Sequence, residues 1–554
     1  MKMTTYLQED LKNILEKLQD NIERKKTDFN ISQNKKNPTG RTTMYQNPII
    51  TGFAADPSVC RGKDAYYLAT STFLYLPAIS IFKSTDLYNW QQIESALPDV
   101  PGAEWDKYTE NGGVWAPTIR YYNGTYYICA PIENKGNFII HATDPAGLWS
   151  EPVWVDMGGI DPSLFFENDK AYFCTNDWSD GQSGVWLCEI DPVSGKKHTN
   201  PVCIYRGNGG GWLEAPHIYH IGDYYYCFAA EGGTYFGHME IVARAENLYG
   251  PYENCPYNPI LTNSHDTSKD ISCAGHADLI QNEKGQYYLV HLGCRQGALS
   301  ISPLGRETFL TPLQFVDGWP VVPGKKATLK NETFANEPSE KNAGIVNSAD
   351  STFVDNFTSN EWPVEWKFLR GKGRDLFQRQ NEKGEKDLFS ERLTISTTTA
   401  EPSAFAYLRQ PDLKFSCQAE LLTDSASLEL SDNDKTGLTL FLSETNYIFY
   451  GLVKKEKQIC LTLFQAAGDM ETTYWEEPLT KSEKINLIIT GDDKKYYFDC
   501  PEMNMQDVKT RLSNRFLSPL VMDRSFIGTM IGIGILGKNG SSKASFYQIT
   551  LNKK

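Results

Sequence analysis

The chain has 554 residues, 40% of them hydrophobic and 12% aromatic, which is too long for one ordinary core and implies at least two domains. No run approaches the roughly 20 consecutive apolar residues that a membrane-spanning helix needs. The formal net charge of −15 makes a phosphate backbone a poor partner, so nucleic-acid binding and a helical membrane anchor are both excluded from the expectations. Twelve cysteines show no C-x-x-C pair and no zinc-like spacing, and most lie in apolar strands such as "YYICAP" and "YYYCFAA". Reduced thiols, and an N-terminus without a secretory apolar core, point to a cytoplasmic protein.

Residues 1–44 come first. Leu7, Leu11, Ile14, Leu18 and Ile22 fall on one helical face, followed by the polar connector "KKTDFNISQNKKNPTGRTT". This stretch is expected to be a short helical extension whose apolar stripe docks on its own subunit or within a homo-oligomer.

From 45 to 325 one pattern recurs five times. "DPSVCRGKDAYY" starts at Asp56, "APTIRYYNGTYY" at Ala116, "DPSLFFENDKAY" at Asp161, "APHIYHIGDYYY" at Ala215 and "HADLIQNEKGQYY" at His276. Each is an apolar strand, a polar turn and an aromatic strand. Tyr67, Tyr127, Tyr172 and Tyr226 take the twelfth place, and Tyr288 comes one residue late. Further strand signals between the hairpins supply outer strands, and units of this size with several short strands each indicate a β-propeller, here with five blades.

The stretch 326–351, within "GKKATLKNETFANEPSEKNAGIVNSADS", has the composition of a linker. From 352 to 554, "FSCQAELL", "TGLTLFLSETNYIFYGLV" and "KINLIITGDDKKYYFDC" are closely spaced strands of an antiparallel sandwich. The fold class is therefore all-β, propeller then sandwich.

In a propeller, equivalent repeat positions converge on the axis. Asp56, Trp115, Asp161, Glu214 and His276 stand at or beside the five repeat starts. Turn formers repeated for structure should look alike, and these differ from unit to unit. Three carboxylates beside an aromatic face suit glycosidic hydrolysis, where one group activates water and another protonates the leaving oxygen. Asp, Glu and His also ligate calcium or zinc, but no closely spaced ligand pairs are present.

The chain resembles glycoside hydrolase family 43, in the β-xylosidase and α-L-arabinofuranosidase branch with a C-terminal concanavalin-like sandwich. The resemblance rests on "NPIITGFAADPSVCR", "GGVWAPTIRYYNGTYYI", "GIDPSLFFENDKAYF", "EAPHIYHIGDYYYCFAAEGGT", "GHADLI" and "SPLGRET". It implies an inverting mechanism with Asp56 as general base, Glu214 as general acid, and Asp161 tuning and orienting Glu214. It implies that Arg306 contacts the sugar and the tuning carboxylate, that His276 lies on the axis beneath the sugar, and that Phe73 and Trp115 wall the pocket. Phe526 in "RSFIGT" is the sandwich residue expected to reach that pocket. No cofactor is required, although a structural calcium near His276 is compatible with the resemblance. Ala55 and Ala215 depart from the family's usual Pro and Gly and put subsite shape in doubt, not the chemistry.

The expected activity is removal of terminal xylose from short β-1,4-xylosides, with α-L-arabinofuranosidase as the near alternative. A non-catalytic sugar-binding propeller is the alternative of another class; retention of all three acids speaks against it.

Overall fold

The computed structural model describes residues 44–297, 301–332, 345–346, 351–359, 361–380, 392–505, 510–521, 526–538 and 540–554. The aliphatic stripe expected between Leu7 and Ile22 lies outside the described residues. Helical structure among the described residues is limited to short 3₁₀ turns, and none of their helices is long and apolar enough to cross a membrane.

Five antiparallel sheets follow one another from Ser58 to Val321, each formed by strands taken in chain order, with Tyr75–Leu76 left out of the first. Their first strands are Ser58–Arg61 (sheet I), Thr118–Tyr122 (II), Ile160–Glu167 (III), Glu214–Ile221 (IV) and Ile271–Gln281 (V). Each first strand pairs with the second through the hairpin anticipated from the repeat. Tyr67 faces Cys60, Tyr127 faces Arg120, Tyr172 faces Phe165, Tyr226 faces Tyr219 and Tyr288 faces Ile280. The extra residue of the fifth repeat falls in its turn, between Gln281 and Tyr287. The first strands pack on one another in succession, I on II, II on III, III on IV and IV on V, and V returns to I.

Residues 352–553 form two further antiparallel sheets, of eight and six strands. Strict alternation drives their packing. In Phe415–Leu422 the side chains of Phe415, Cys417, Ala419 and Leu421 are fully buried, while Ser416, Gln418 and Glu420 face outwards. They meet Leu438, Leu440, Ile448, Ile531 and Ile533 from the other sheet in one core. Phe368–Leu369 pairs with Tyr75–Leu76, and the buried Lys367 ammonium donates to Pro77 O (2.8 Å) and Ser95 Oγ (2.6 Å). Those contacts seat the sandwich against sheet I.

The stretch 326–351 is not irregular throughout, as a pure linker would be: Lys330–Glu332 and Ile345–Val346 are strands. Met44 and Tyr45, at the edge of the expected helical extension, are already strand, paired in parallel with Ile345 and Val346 in a small separate unit.

Candidate active site

The same unusual turn recurs at the repeat starts: at or next to the beginning of the first strand in sheets I to IV, and inside the first strand of sheet V, which begins at Ile271. Asp56, Ala116, Asp161, Ala215 and His276 all have φ between 34° and 55°, the left-handed region that non-glycine residues rarely enter. These are the starts of the five repeats, so the sequence register and the backbone turn coincide. Register shifts follow at once in sheets III, IV and V. Bulges of this kind re-aim a side chain away from the sheet face, and left-handed strain held in five equivalent places points to a function.

Asp56 is 4% exposed and both of its oxygens are held. Ser71 Oγ donates to Oδ2 at 2.5 Å and Arg306 Nη1 to Oδ1 at 2.6 Å. Ser71 Oγ also accepts the Ala116 N–H at 2.7 Å, which ties sheet I to sheet II. Arg306 is clamped between two rings, its guanidinium 5.4 Å from the Phe73 centroid and 5.3 Å from that of Phe526. It donates further to Thr234 Oγ1 at 3.2 Å and to the Phe526 carbonyl at 3.1 and 3.3 Å.

Arg306 was expected beside the tuning carboxylate Asp161; the structure pairs it with Asp56. The cause is local, because the Ala54 N–H donates to the Arg306 carbonyl at 3.0 Å and so fixes Arg306 next to the strand start that carries Asp56. Phe73 is only 2% exposed and acts as the buried half of the arginine clamp, more than as a face for sugar. Phe526 does reach the site: its N–H donates to Asn111 Oδ1 at 2.8 Å, and its ring lies 6.2 Å from those of Phe73 and Tyr235. Trp115 packs beside the same aromatic cluster, and its buried indole Nε1 has no partner.

The second half of the site joins sheets III, IV and V. Asp161 Oδ2 accepts the Ala215 N–H at 3.0 Å and lies 3.9 Å from His276 Nδ1. Glu214 Oε1 lies 3.8 Å from His276 Nδ1 and 3.1 Å from His238 Nε2. His238 Nδ1 faces the Cys273 carbonyl at 3.0 Å. A carbonyl can only accept, so Nδ1 carries a proton. The contact between Nε2 and Glu214 then holds one more proton, on the carboxyl if the imidazole is neutral and on Nε2 if it is cationic.

The charges compete for protons. Burial, together with the neighbouring Glu214 and Asp56 carboxylates, pushes Asp161 up to about 7 despite the opposing charge of His276. Burial alone would lower His276, but hydrogen bonding to Glu214 and the charges of Asp161 and Asp56 raise it to about 9. Burial would raise Glu214 too, yet His238 and His276 hold it well below the usual carboxylate range. In the unliganded site His276 therefore holds its proton, and Asp161 holds one below about pH 7, both within reach of Glu214.

His238, Ser71 and Thr234 were not anticipated. His238 immediately precedes the third strand of sheet IV, Met239–Ala245, where no repeat marks it; the one available signal is a polar residue just before the apolar run "MEIVARA".

Asp161, Glu214 and His276 could also be read as metal ligands, since their ligand atoms lie within 4.8 Å of one another. They do not fit direct calcium binding, which asks for six to eight oxygens. This trio offers two carboxylates and a nitrogen, and those carboxylates already face His238 and the Ala215 N–H.

Buried carboxylates from separate sheets, one held by Ser71 and Arg306 and one facing two imidazoles, form an arrangement suited to acid–base cleavage of glycosidic bonds. The chain belongs to glycosyl hydrolases family 43, whose model matches residues 45–320, and it is a glycoside hydrolase. A model described as the beta xylosidase C-terminal concanavalin A-like domain matches residues 354–551. The chain is 32% identical over 517 residues to a non-reducing end alpha-L-arabinofuranosidase, BoGH43B, of Bacteroides ovatus, covering 90% of this chain and 93% of that protein. It is 34% identical to a xylosidase/arabinosidase of Butyrivibrio fibrisolvens, covering 75% of this chain and 81% of the relative. A solved structure titled Bacteroides ovatus Xyloglucan PUL GH43B superposes with a TM-score of 0.82 at 30% identity, over 92% of this chain and 99% of that one.

Proposed function

We propose that the protein is an exo-acting, inverting pentosidase that releases terminal xylose from short β-1,4-xylosides and also accepts α-L-arabinofuranosides. Its catalytic domain is read as a five-bladed propeller over 45–325, with the sandwich from 352 to 554 helping to close the pocket. The observation that carries the reading is the division of labour in the site: Asp56 is fixed at both oxygens, whereas Glu214 faces two imidazoles that can load it. The names of the relatives support both sugars, and the Bacteroides protein favours arabinofuranosidase as the second reading.

In this mechanism Asp56 takes a proton from water as the water oxygen bonds to the anomeric carbon. Glu214 gives its proton to the leaving oxygen as the glycosidic bond breaks. Glu214 is loaded from His238 Nε2 or His276 when a sugar fills the pocket and excludes water, because desolvation favours the neutral carboxyl. Asp161 orients the start of sheet IV through the Ala215 N–H, and Glu214, with the charge Asp161 adds once it ionises, favours the protonated form of His276. Segment 526–529 packs on 303–306, with the Thr529 N–H donating to Pro303 O at 2.9 Å, and so blocks one side of the mouth and favours end-on entry. Twelve free thiols, eleven of them buried, support the cytoplasmic location, which fractionation would check.

Release from nitrophenyl β-xyloside and nitrophenyl α-arabinofuranoside, measured side by side, tests the activity and ranks the sugars; release from neither would sink it. Glu214→Ala should cripple xylobiose cleavage far more than cleavage of an activated aryl xyloside, whose phenol leaves readily as its anion. Asp56→Ala should depress both alike, by about 10² to 10⁴-fold. A selective loss in Asp56→Ala would mean that the roles are reversed. Proton NMR of fresh product should show the inverted anomer first.

A further inference from the structure

Next to Glu214 the chain does something the acid–base chemistry does not require. Trp212, two residues upstream, is 76% exposed and has φ of 54°, a left-handed conformation that is costly for a bulky residue. It ends the glycine-rich loop "GNGGGW", and that loop is built around a buried carboxylate. Glu231, 2% exposed, accepts the Asn208 N–H at 2.7 Å and the Gly210 N–H at 2.9 Å. A β-carbon on Gly207 or Gly210 would lie 2.3 or 2.6 Å from the Glu231 oxygens, so only glycine lets the backbone wrap them. The Gly232 N–H donates to the Gly211 carbonyl at 2.8 Å, and Gly233 lies beneath the indole, where a β-carbon would touch it at 3.7 Å. An exposed indole is thus held on a loop pinned from below.

Topology places other exposed aromatics at the same end of the sheets. The connection carrying Trp212 leads into the start of the first strand of sheet IV. The links between second and third strands reach that end too, and they carry Trp178 in sheet III and Phe236 in sheet IV, 46% and 53% exposed. On the Arg306 side, the Phe526 ring packs 5.3 Å from the guanidinium and 6.2 Å from the Tyr235 ring. The exposed aromatic rim therefore lies over sheets III and IV, beside the group that protonates the leaving oxygen.

We propose that Trp212 is the platform on which the leaving-group sugar of an oligosaccharide stacks, and that it sets the preference for saccharide leaving groups over smaller ones. A pyranose or furanose ring presents apolar C–H faces that suit a flat indole, with its hydroxyls left in water. The Glu231 anchor makes the platform rigid before substrate arrives, so little ordering entropy is lost on binding. The inference rests on the glycosidase reading and deepens it.

The test compares Trp212→Ala and Trp212→Phe on xylobiose and on β-xylosyl fluoride, whose leaving group is a single atom. If arabinose proves the preferred sugar, the matching arabinofuranosyl disaccharide and fluoride are used. Trp212→Ala should lower kcat/KM for the disaccharide by about tenfold, with Trp212→Phe recovering most of it and fluoride hydrolysis far less affected. Equal loss on both substrates would make Trp212 a brace for Glu214 and overturn the platform, as would no loss on either. Wild-type enzyme inactive on every glycoside would instead bring down the glycosidase reading, and the platform with it.

Discussion

Two clusters of buried acid lie two residues apart on the first strand of sheet V, and they are built on opposite terms. Asp278 is completely buried and fully satisfied. It accepts from Ser58 Oγ at 2.5 Å, from the Val59 N–H at 2.9 Å, from both Arg120 Nη atoms at 2.8 and 3.1 Å, and from the Tyr219 hydroxyl. Arg120 also reaches His217 Nδ1 at 2.9 Å. Burial, with the Arg120 charge, pushes His217 down to about 3 against the pull of Asp278, so its ring is neutral and accepts. One anion meets one cation, and sheets I, II, IV and V are tied together. Around His276 the terms are reversed. Three carboxylates crowd two imidazoles and an arginine, and protons have more than one place to go. A satisfied cluster holds the ring of sheets; an unsatisfied one can pass protons.

That contrast predicts different failures. Asp278→Ala strands a buried guanidinium, and removing one partner of such a pair costs about 3–5 kcal/mol. Its first thermal transition should fall sharply, with activity lost as the fold loosens. Asp56→Ala also removes a partner of a buried guanidinium, but Arg306 keeps the Phe526 carbonyl and Thr234 Oγ1 as acceptors, so that transition should fall less than in Asp278→Ala, while turnover drops by about 10² to 10⁴-fold. A stable Asp278→Ala protein with normal kinetics would break the comparison. So would an unfolded Asp56→Ala.

Part of this was legible in the sequence. The acids at Asp56, Asp161 and Glu214, and His276 with them, stood out because they stand at or beside the repeat starts, and the left-handed turns sit at that register. The sandwich was legible from alternation such as Phe415, Cys417, Ala419 and Leu421. His238 was hidden because it stands just before a third strand, where successive repeats share no residue type. The partner of Arg306 was hidden because it depends on how residues 303–306 lie against Ala54, a tertiary contact with no sequence spacing. The Asp278 cluster was missed although "HAD" was in view, since its meaning lies in Ser58, Arg120 and Tyr219 from three other repeats.

The smallest effect is also the sharpest probe of the unsatisfied cluster. Asp161 has an ordinary value near 3.8, and burial with Glu214 and Asp56 beside it raises that to about 7 in the folded protein. A folded value above the unfolded one means that the protonated form is the one the fold prefers. The stability linked to this group is thus complete below about pH 3.8 and is lost progressively as pH rises through about 7. His276, facing it at 3.9 Å and raised from 6.5 to about 9, also loses stability as pH rises, but it is present in both proteins, so the comparison isolates Asp161. Asp161→Asn removes the ionisation while keeping the size. The variant's melting temperature, taken relative to wild type, should therefore be more favourable at pH 8 than at pH 5, by a few degrees in a chain of this size. The same offset at both pH values would mean that Asp161 is already ionised at pH 5. The crowded cluster would then be as settled in its charges as the one around Asp278.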